Sequence, residues 1–160
     1  MQTTLNNKDD LLEKVYSKIM YFMAHKERTE FEVERKFDFI LKNYALSSSR
    51  REELKNQTLQ SLRESKLLDD ERYAETYVKQ QVNGIKAVSR RKVVDFLRKK
   101  GVPVNIIEEC VVDFDEEVEF RNALKLGKTR KGKDLYRYLA SKGFSSDVIR
   151  GVVDTLAEVK

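Results

Sequence analysis

The sequence predicts an all-α fold, an elongated array of three tandem three-helix repeats that resemble helix-turn-helix units. Apolar residues recur at three- and four-residue spacing along almost the whole chain, which is the period of an amphipathic helix. No window alternates apolar and polar residues over the length of a strand. Helix breakers are rare, because Pro103 is the only proline and five of the six glycines lie at or after position 101. Together these features predict about nine helices.

The helix starts are marked by residues that accept hydrogen bonds from free backbone N–H groups. Gly101 ends one predicted helix as a glycine just beyond its last turn, and Pro103 suits the first turn of the next. The predicted starts are Thr29 with Glu32, Ser49 with Glu52, the pair Asp69–Asp70, and Ser89.

The repeat is visible as an offset of 42 residues, which places Gly101 on Gly143 and Leu97 on Leu139. A weaker copy precedes them, in which Leu41 stands at the position of these leucines. Such a unit buries little apolar surface alone, so neighbouring units complete each other's cores. The predicted divisions are a flexible segment over 1–8 and repeats over 9–66, 67–115 and 116–160.

Charge is arranged in blocks that the formal net charge of +5 conceals. Residues 84–100 hold seven bases and one acid, 101–119 hold seven acids and no base, and 120–142 hold eight bases and one acid. Residues 1–83 carry no net charge. Basic blocks at matching places in successive repeats predict a shared docking face for a polyanion or an acidic protein groove, and the sequence does not separate the two partners.

No aromatic ladder interleaves with these basic residues, which weakens a case for stacking on single-stranded bases. The predicted docking residues are Lys86, Arg90, Arg91, Lys92, Arg98, Lys99, Lys100, Lys125, Lys128, Arg130, Lys131, Lys133 and Arg137.

Catalytic and metal chemistry have little support. One His and one Cys cannot supply a disulfide or a zinc site, and we expect no enzyme activity and no cofactor. Gly127-Lys128-Thr129 resembles the end of a phosphate-binding loop, but the glycine that the motif needs is Asn122 here. The chain has no apolar run of about 18 residues and no evident signal peptide, so we expect no membrane contact and a cytoplasmic location.

Three segments resemble the RecX family of regulatory proteins. They are Leu67-Leu68-Asp69-Asp70-Glu71-Arg72-Tyr73-Ala74 with Tyr77-Val78, then Leu97-Arg98-Lys99-Lys100-Gly101-Val102, and Tyr138 to Ser145. The resemblance implies tandem three-helix repeats and a mainly structural signature. It departs from the family pattern where Gly84 lacks a following proline and where Ala45 replaces a terminal glycine. The signature residues are Asp69, Asp70, Arg72, Tyr73, Ala74, Tyr77, Gly101, Gly143 and Phe144.

The resemblance implies a bacterial modulator of the RecA recombinase. RecX-like proteins lie along the groove of the RecA–DNA filament and restrain its ATP hydrolysis and strand exchange. The expected partners are therefore RecA and its DNA filament, with DNA itself a further candidate. We expect a monomer, because the sequence has no long heptad seam and no large exposed apolar stripe. The alternative is a stand-alone DNA-binding module that acts through the basic second helices of the repeats.

Overall fold

The computed structural model describes residues 6–130 and 134–158, and all regular structure within these ranges is helical. This confirms the predicted all-α fold. A 3₁₀ turn over Val111–Asp113 follows the sixth helix. The helices are α1 (Asn6–Ala24), α2 (Glu30–Leu41), α3 (Ser48–Glu64), α4 (Asp70–Asn83), α5 (Arg90–Lys99), α6 (Val104–Cys110), α7 (Glu116–Lys128), α8 (Leu135–Ser141) and α9 (Ser146–Glu158).

The chain divides into two compact units, Met1–Tyr73 and Ala74–Lys160. The boundary lies within α4, so the predicted borders of the three repeats stay a prediction. The core of the first unit joins α1, α2 and α3 through buried residues that include Ile19, Phe37 and Leu54. Residues 1–5 of the predicted flexible segment lie outside the described residues, and α1 begins at Asn6.

The starts of α2 and α3 show how local chemistry sets helix bounds. Thr29 accepts from the Glu32 N–H at 3.3 Å, and the Glu32 carboxylate accepts from the Thr29 N–H at 3.3 Å, which confirms the predicted capping box. The prediction that Ser49 caps α3 is wrong. Ser47 holds the extended backbone of a cap and accepts from the Arg50 N–H at 3.2 Å, so Ser49 lies inside the helix.

Gly101 and Gly143 end α5 and α8 with the same turn. Their φ angles of 75° and 89° lie in the left-handed region that a side chain disfavours. At Gly101, the following Val102 N–H reaches back to the Leu97 carbonyl at 3.1 Å. The Phe144 N–H reaches the Leu139 carbonyl at 3.3 Å in the same way. The sequence prediction for Gly101 is therefore confirmed.

The second unit contains a close crossing of α7 and α9. A methyl group at Gly127 would lie 3.0 Å from the Leu156 side chain, and one at Gly151 would lie 3.1 Å from the Phe120 ring. Both glycines therefore allow the helices to approach closely. Gly127-Lys128-Thr129 is thus the last turn of α7 and its cap, where Gly127 is buried against α9.

Candidate docking surface

The candidate surface is built on the start of α5. Ser89 is fully buried, and its hydroxyl accepts from the Lys92 N–H at 3.4 Å and donates to the Lys142 carbonyl at 2.8 Å. One side chain therefore caps α5 and joins it to the turn that follows α8. The first turn that it caps carries Arg90, Arg91 and Lys92, and all three side chains are exposed.

The Glu119 side chain of α7 supports the same helix start. It is 9% exposed, and its carboxylate accepts a hydrogen bond from the Arg90 backbone N–H. Burial raises the pKa of the Glu119 carboxyl, although the hydrogen bond and the charge of Arg90 act in the opposite direction. An acidic group thus lies beneath the first turn of α5, where free N–H groups favour negative charge.

Three further side chains of α7 hold the segment that leads into α5. Arg121 donates to the Val82 carbonyl at 2.8 Å, and Asn122 donates to the Val88 carbonyl at 3.0 Å. The Lys125 ammonium donates to the Ile85 carbonyl. These contacts position the connection between α4 and α5, and with it the three cations of the α5 first turn.

The charge of that first turn opposes the helix itself. A helix N-terminus carries partial positive charge, and each nearby cation costs roughly 0.3–1 kcal/mol when exposed. Arg91 of this turn pairs with Asp95 at 3.9 Å, and its side chain is 77% exposed. Pairing at this exposure recovers little of that cost. The cations are therefore better explained by a partner than by the stability of α5.

A groove of about 630 Å³ lies next to these cations, between α5, α6 and the turn after α8. Its apolar lining comes from Val94, Val104, Ile107, Val111 and Phe144, and its charged lining comes from Arg90, Arg91, Arg98, Asp95, Glu108 and Glu119. Valine, isoleucine and phenylalanine side chains make no directional contact with phosphate, whereas mixed charge around apolar side chains is typical of a protein interface. We name this feature the α5–α6 groove.

Comparisons with known proteins connect this geometry to a family. A family model described as RecX, second three-helix domain, matches residues 69–111, which run from the cap of α4 through the end of α6. A solved structure titled regulatory protein RecX has a TM-score of 0.78 at 26% identity, with coverage of 96% of this chain and 78% of that chain. The chain is therefore similar to RecX proteins in both sequence and fold.

Two regulatory proteins RecX illustrate the range of similarity. The protein from Clostridium botulinum (strain Eklund 17B / Type B) is 37% identical over 58% of this chain and 48% of its own length. The protein from Limosilactobacillus reuteri (strain DSM 20016) is 28% identical over 88% of this chain and 54% of its own length. This chain therefore spans about half the length of the curated relatives it matches. A crystal structure of RecX from Lactobacillus salivarius shares the fold, with a TM-score of 0.73 at 23% identity, over 93% of this chain and 98% of that chain.

The RecX signature residues lie mostly in structural contacts. Asp69 caps α4 by accepting from the Arg72 N–H at 2.9 Å, whereas Asp70 accepts from the Glu30 N–H of α2 at 2.8 Å. Asp70 thus reaches a helix 40 residues earlier, a contact that sequence spacing could not indicate. Burial raises the pKa of the Asp70 carboxyl, and the Glu30 hydrogen bond opposes that shift.

The remaining signature residues make side-chain contacts, lie wholly or partly buried, or form helix-ending turns. The Arg72 guanidinium contacts the Glu27 carboxylate at 3.2 Å. Tyr77 stacks on Phe96 with ring centroids 4.2 Å apart. Tyr73 is half-buried, Ala74 and Phe144 are buried, and Gly101 and Gly143 form the two turns described above.

The predicted docking residues occupy three places in the second unit. Arg90, Arg91, Lys92, Arg98 and Lys99 lie on α5 and are exposed, and Lys100 follows with its ammonium 5.6 Å from the Phe96 ring. Lys86 lies exposed before α5. The third place comprises α7 with Lys125 and Lys128, α8 with Arg137, and Arg130 between the two helices. The Arg130 guanidinium lies 4.5 Å from the centroid of the Tyr138 ring. Lys131 and Lys133 lie outside the described residues.

Sequence reasoning missed the apolar groove and the supporting role of α7. Glu119 and Asn122 look like members of an acidic block and a failed motif, but both are buried against the start of α5. The sequence signal that could have indicated their burial is their spacing, because both lie next to the apolar positions of α7, Val118 and Ala123. Within residues 6–130 and 134–158, no group of three or more His, Cys, Asp or Glu side chains could hold a metal ion. In the same ranges, no helix is long and apolar enough to cross a membrane.

Proposed function

We propose that the chain is a non-enzymatic regulator that binds RecA and the groove of the RecA–DNA filament. On this proposal it inhibits the recombinase and ATPase activities of RecA in the bacterial cytoplasm. Similarity to proteins named regulatory protein RecX supports the regulatory part of the proposal. The docking part rests on the α5–α6 groove.

The observation that carries the proposal is the combination of cations and apolar side chains at one groove. The exposed Arg90 and Arg91 lie at its edge, and Val104 lines it with 54% of its surface exposed. A protein segment with carboxylates and apolar side chains would satisfy both kinds of lining. A DNA backbone would satisfy the cations alone.

A second candidate function is a stand-alone DNA-binding module. Cations on both end turns of α5, including Arg91 and Lys99, favour it, because an exposed basic helix attracts phosphate. The two functions predict different effects for the apolar lining, and this difference decides between them.

The experiment measures DNA-dependent ATP hydrolysis by RecA with substoichiometric amounts of the protein. The triple variant Arg90→Glu, Arg91→Glu, Lys92→Glu should lose most inhibition, and its helix content should stay unchanged by circular dichroism. Arg150→Glu is the control, since Arg150 is an exposed arginine of α9 that pairs with Asp147, and neither residue lines the groove. Full inhibition by the triple variant would remove the α5 cations from the docking site.

Val104→Asp separates the protein partner from the DNA partner. Val104 is the first residue of α6, where a carboxylate suits the helix dipole, so the variant should fold. We expect weaker inhibition of RecA and little change in affinity for free DNA. If DNA binding is the whole function, competitor DNA should abolish inhibition, and inhibition by Val104→Asp should change only in step with its DNA affinity.

A further inference from the structure

The first unit carries its own exposed groove, which the proposed function does not use. It lies between α1 and α2 and has a volume of about 440 Å³. Tyr21 of α1 and Phe39 of α2 line it, with 72% and 66% of their surfaces exposed. Two large rings from different helices therefore present accessible faces to the same groove. We name it the α1–α2 groove.

Cations lie beside Phe39 and beside the neighbouring Phe22 ring of the same groove. The Lys36 ammonium lies 5.3 Å from the Phe39 ring centroid and 5.4 Å from that of Phe22. Phe22 also carries the Arg28 guanidinium at 4.0 Å from its centroid. Lys18 lines the groove from the α1 side. Both helices therefore contribute lysines and aromatic rings to the same groove.

The groove is positive and has no acidic lining among the residues that the structure describes. Its charged lining consists of Lys18 and Lys36. An adjoining hollow of about 380 Å³ shares Lys36 and adds Arg35 and Glu32. The Glu32 carboxylate is already engaged by the Arg28 guanidinium at 3.6 Å and the Thr29 N–H at 3.3 Å. An anionic occupant is therefore favoured.

We propose that the α1–α2 groove binds single-stranded nucleic acid. The exposed faces of Tyr21 and Phe39 stack on unpaired bases, and Lys18 and Lys36 neutralise the adjacent phosphates. A duplex keeps its bases stacked on one another, so the rings would gain nothing from it. This groove shares no lining residue with the α5–α6 groove. The proposal of single-strand binding can therefore be tested separately from the proposal of RecA binding.

Single strands fit these features better than an acidic peptide does. Carboxylates would pair with the two lysines, but they would leave the faces of Tyr21 and Phe39 in water. A base and its phosphate together supply a flat ring and a negative charge at every residue of the strand. Stacking also tolerates any base, so we expect little sequence preference.

The first test compares affinities by fluorescence anisotropy, with a labelled oligothymidylate of about 15 nucleotides and a duplex of equal length. The double variant Tyr21→Ala, Phe39→Ala should bind the single strand at least about tenfold more weakly, with little change for the duplex. Tyr136→Ala is the matched control, because Tyr136 is an exposed tyrosine of α8 in the other unit. Lys18→Glu should reduce the slope of log affinity against log salt by about one.

The second test uses the absence of tryptophan from the sequence. Phe39→Trp keeps a ring at the groove and gives the chain one tryptophan. Its fluorescence should be quenched on addition of oligothymidylate, because stacking brings a base against the indole. The same variant reports whether the groove is occupied even if the alanine variants fold poorly.

The outcomes are distinct. Selective loss of single-strand affinity in the double variant, together with quenching in Phe39→Trp, supports the proposal. Unchanged single-strand affinity, an equal loss for duplex, or no quenching overturns it. Displacement of the oligonucleotide from Phe39→Trp by polyglutamate at equal charge concentration also overturns it, in favour of an acidic protein segment.

Discussion

The start of α2 in the first unit and the start of α5 in the second share one supporting arrangement. Both follow a fully buried hydroxyl residue, Thr29 or Ser89. In both, the first helical N–H donates to a carboxylate from a helix later in the chain. Glu30 donates to Asp70, and Arg90 donates to Glu119. The support of a helix start is thus the same in the two units.

The charge of the first turn is where they differ. In α2 it holds the acids Glu30 and Glu32, which suit the helix dipole, whereas in α5 it holds the bases Arg90–Lys92, which oppose it. In both cases the hydroxyl cap and a carboxylate from a later helix fix the helix start. The comparison teaches that, once these groups hold the start, the exposed first turn can carry charge that serves binding at the expense of helix stability.

The largest expected effect concerns the other ends of these helices. Leu41 of α2 and Leu97 of α5 occupy matching repeat positions and are 1% and 0% exposed. Leu41→Ala and Leu97→Ala should each lower the free energy of unfolding by about 2–5 kcal/mol, measured by urea denaturation. A cost below about 1 kcal/mol for either variant would show that the two helices are not equivalently anchored.

Removal of the capping hydroxyls should have the next largest effect. Thr29→Ala and Ser89→Ala should each cost about 1–2 kcal/mol. Ser89→Ala should also speed amide hydrogen exchange around Gly143, because the Ser89 hydroxyl donates to the Lys142 carbonyl. If the amides around Gly143 exchange in Ser89→Ala as slowly as in the unsubstituted protein, the bond from Ser89 to Lys142 does not stabilise that turn.

Charge reversal at the two ends of α5 should change stability in opposite directions. Arg91→Glu places an acid in the first turn and should stabilise the protein by about 0.3–1 kcal/mol, while it weakens docking. Lys99→Glu places an acid in the last turn and should destabilise by a similar amount. Thermal unfolding of the two variants at low salt measures both stability changes. A change in the same direction for both variants would contradict the argument from the helix dipole.

The smallest effect is a dependence of stability on pH. Because burial raises the pKa of Glu119 above its ordinary 4.5, the folded state binds more protons than the unfolded state between 4.5 and the raised value. Stability should therefore fall as pH rises through this window. Glu119→Gln lacks this dependence, so the unsubstituted protein should gain relative to the variant when the pH is lowered from about 7 to about 4.

The same comparison is available in the first unit. The pKa of Asp70 is raised above its ordinary 3.8, again chiefly by burial. Asp70→Asn should remove a dependence of the same sign, in a window that begins near 3.8. Urea denaturation at several pH values gives the free energy of unfolding of the unsubstituted protein, of Glu119→Gln and of Asp70→Asn. A stability that rises with pH across either window, relative to the variant, would contradict the assigned direction.

Local patterns predicted most of the fold. The capping box at Thr29, the cap at Ser89 and the glycine turn at Gly101 depend on residues a few positions apart, so sequence spacing is enough to find them. The Ser49 prediction failed because only Ser49, with Glu52 three residues later, has the spacing of a capping box. The helix is instead capped by Ser47, which accepts from the Arg50 N–H.

Long-range contacts explain what the sequence could not predict about the site. The Arg90 N–H donates to the Glu119 carboxylate, and the Asn122 amide donates to the Val88 carbonyl, so both bonds join residues about thirty positions apart. The α1–α2 groove was missed for another reason. Charge counted along the chain sums to zero over residues 1–83, while folding gathers Lys18 and Lys36 beside aromatic rings.

The contacts of α5 with later residues have a consequence for synthesis. The first turn of α5 is held by Glu119, and the hydroxyl of Ser89 is joined to Lys142. A growing chain emerges from the ribosome with its N-terminal part first. The cations of α5 therefore leave the ribosome before the residues that orient them. A nascent or prematurely terminated chain that stops after α6 carries the charge of the proposed docking surface without the contacts that orient it. On that proposal, competence to bind is acquired only late in translation.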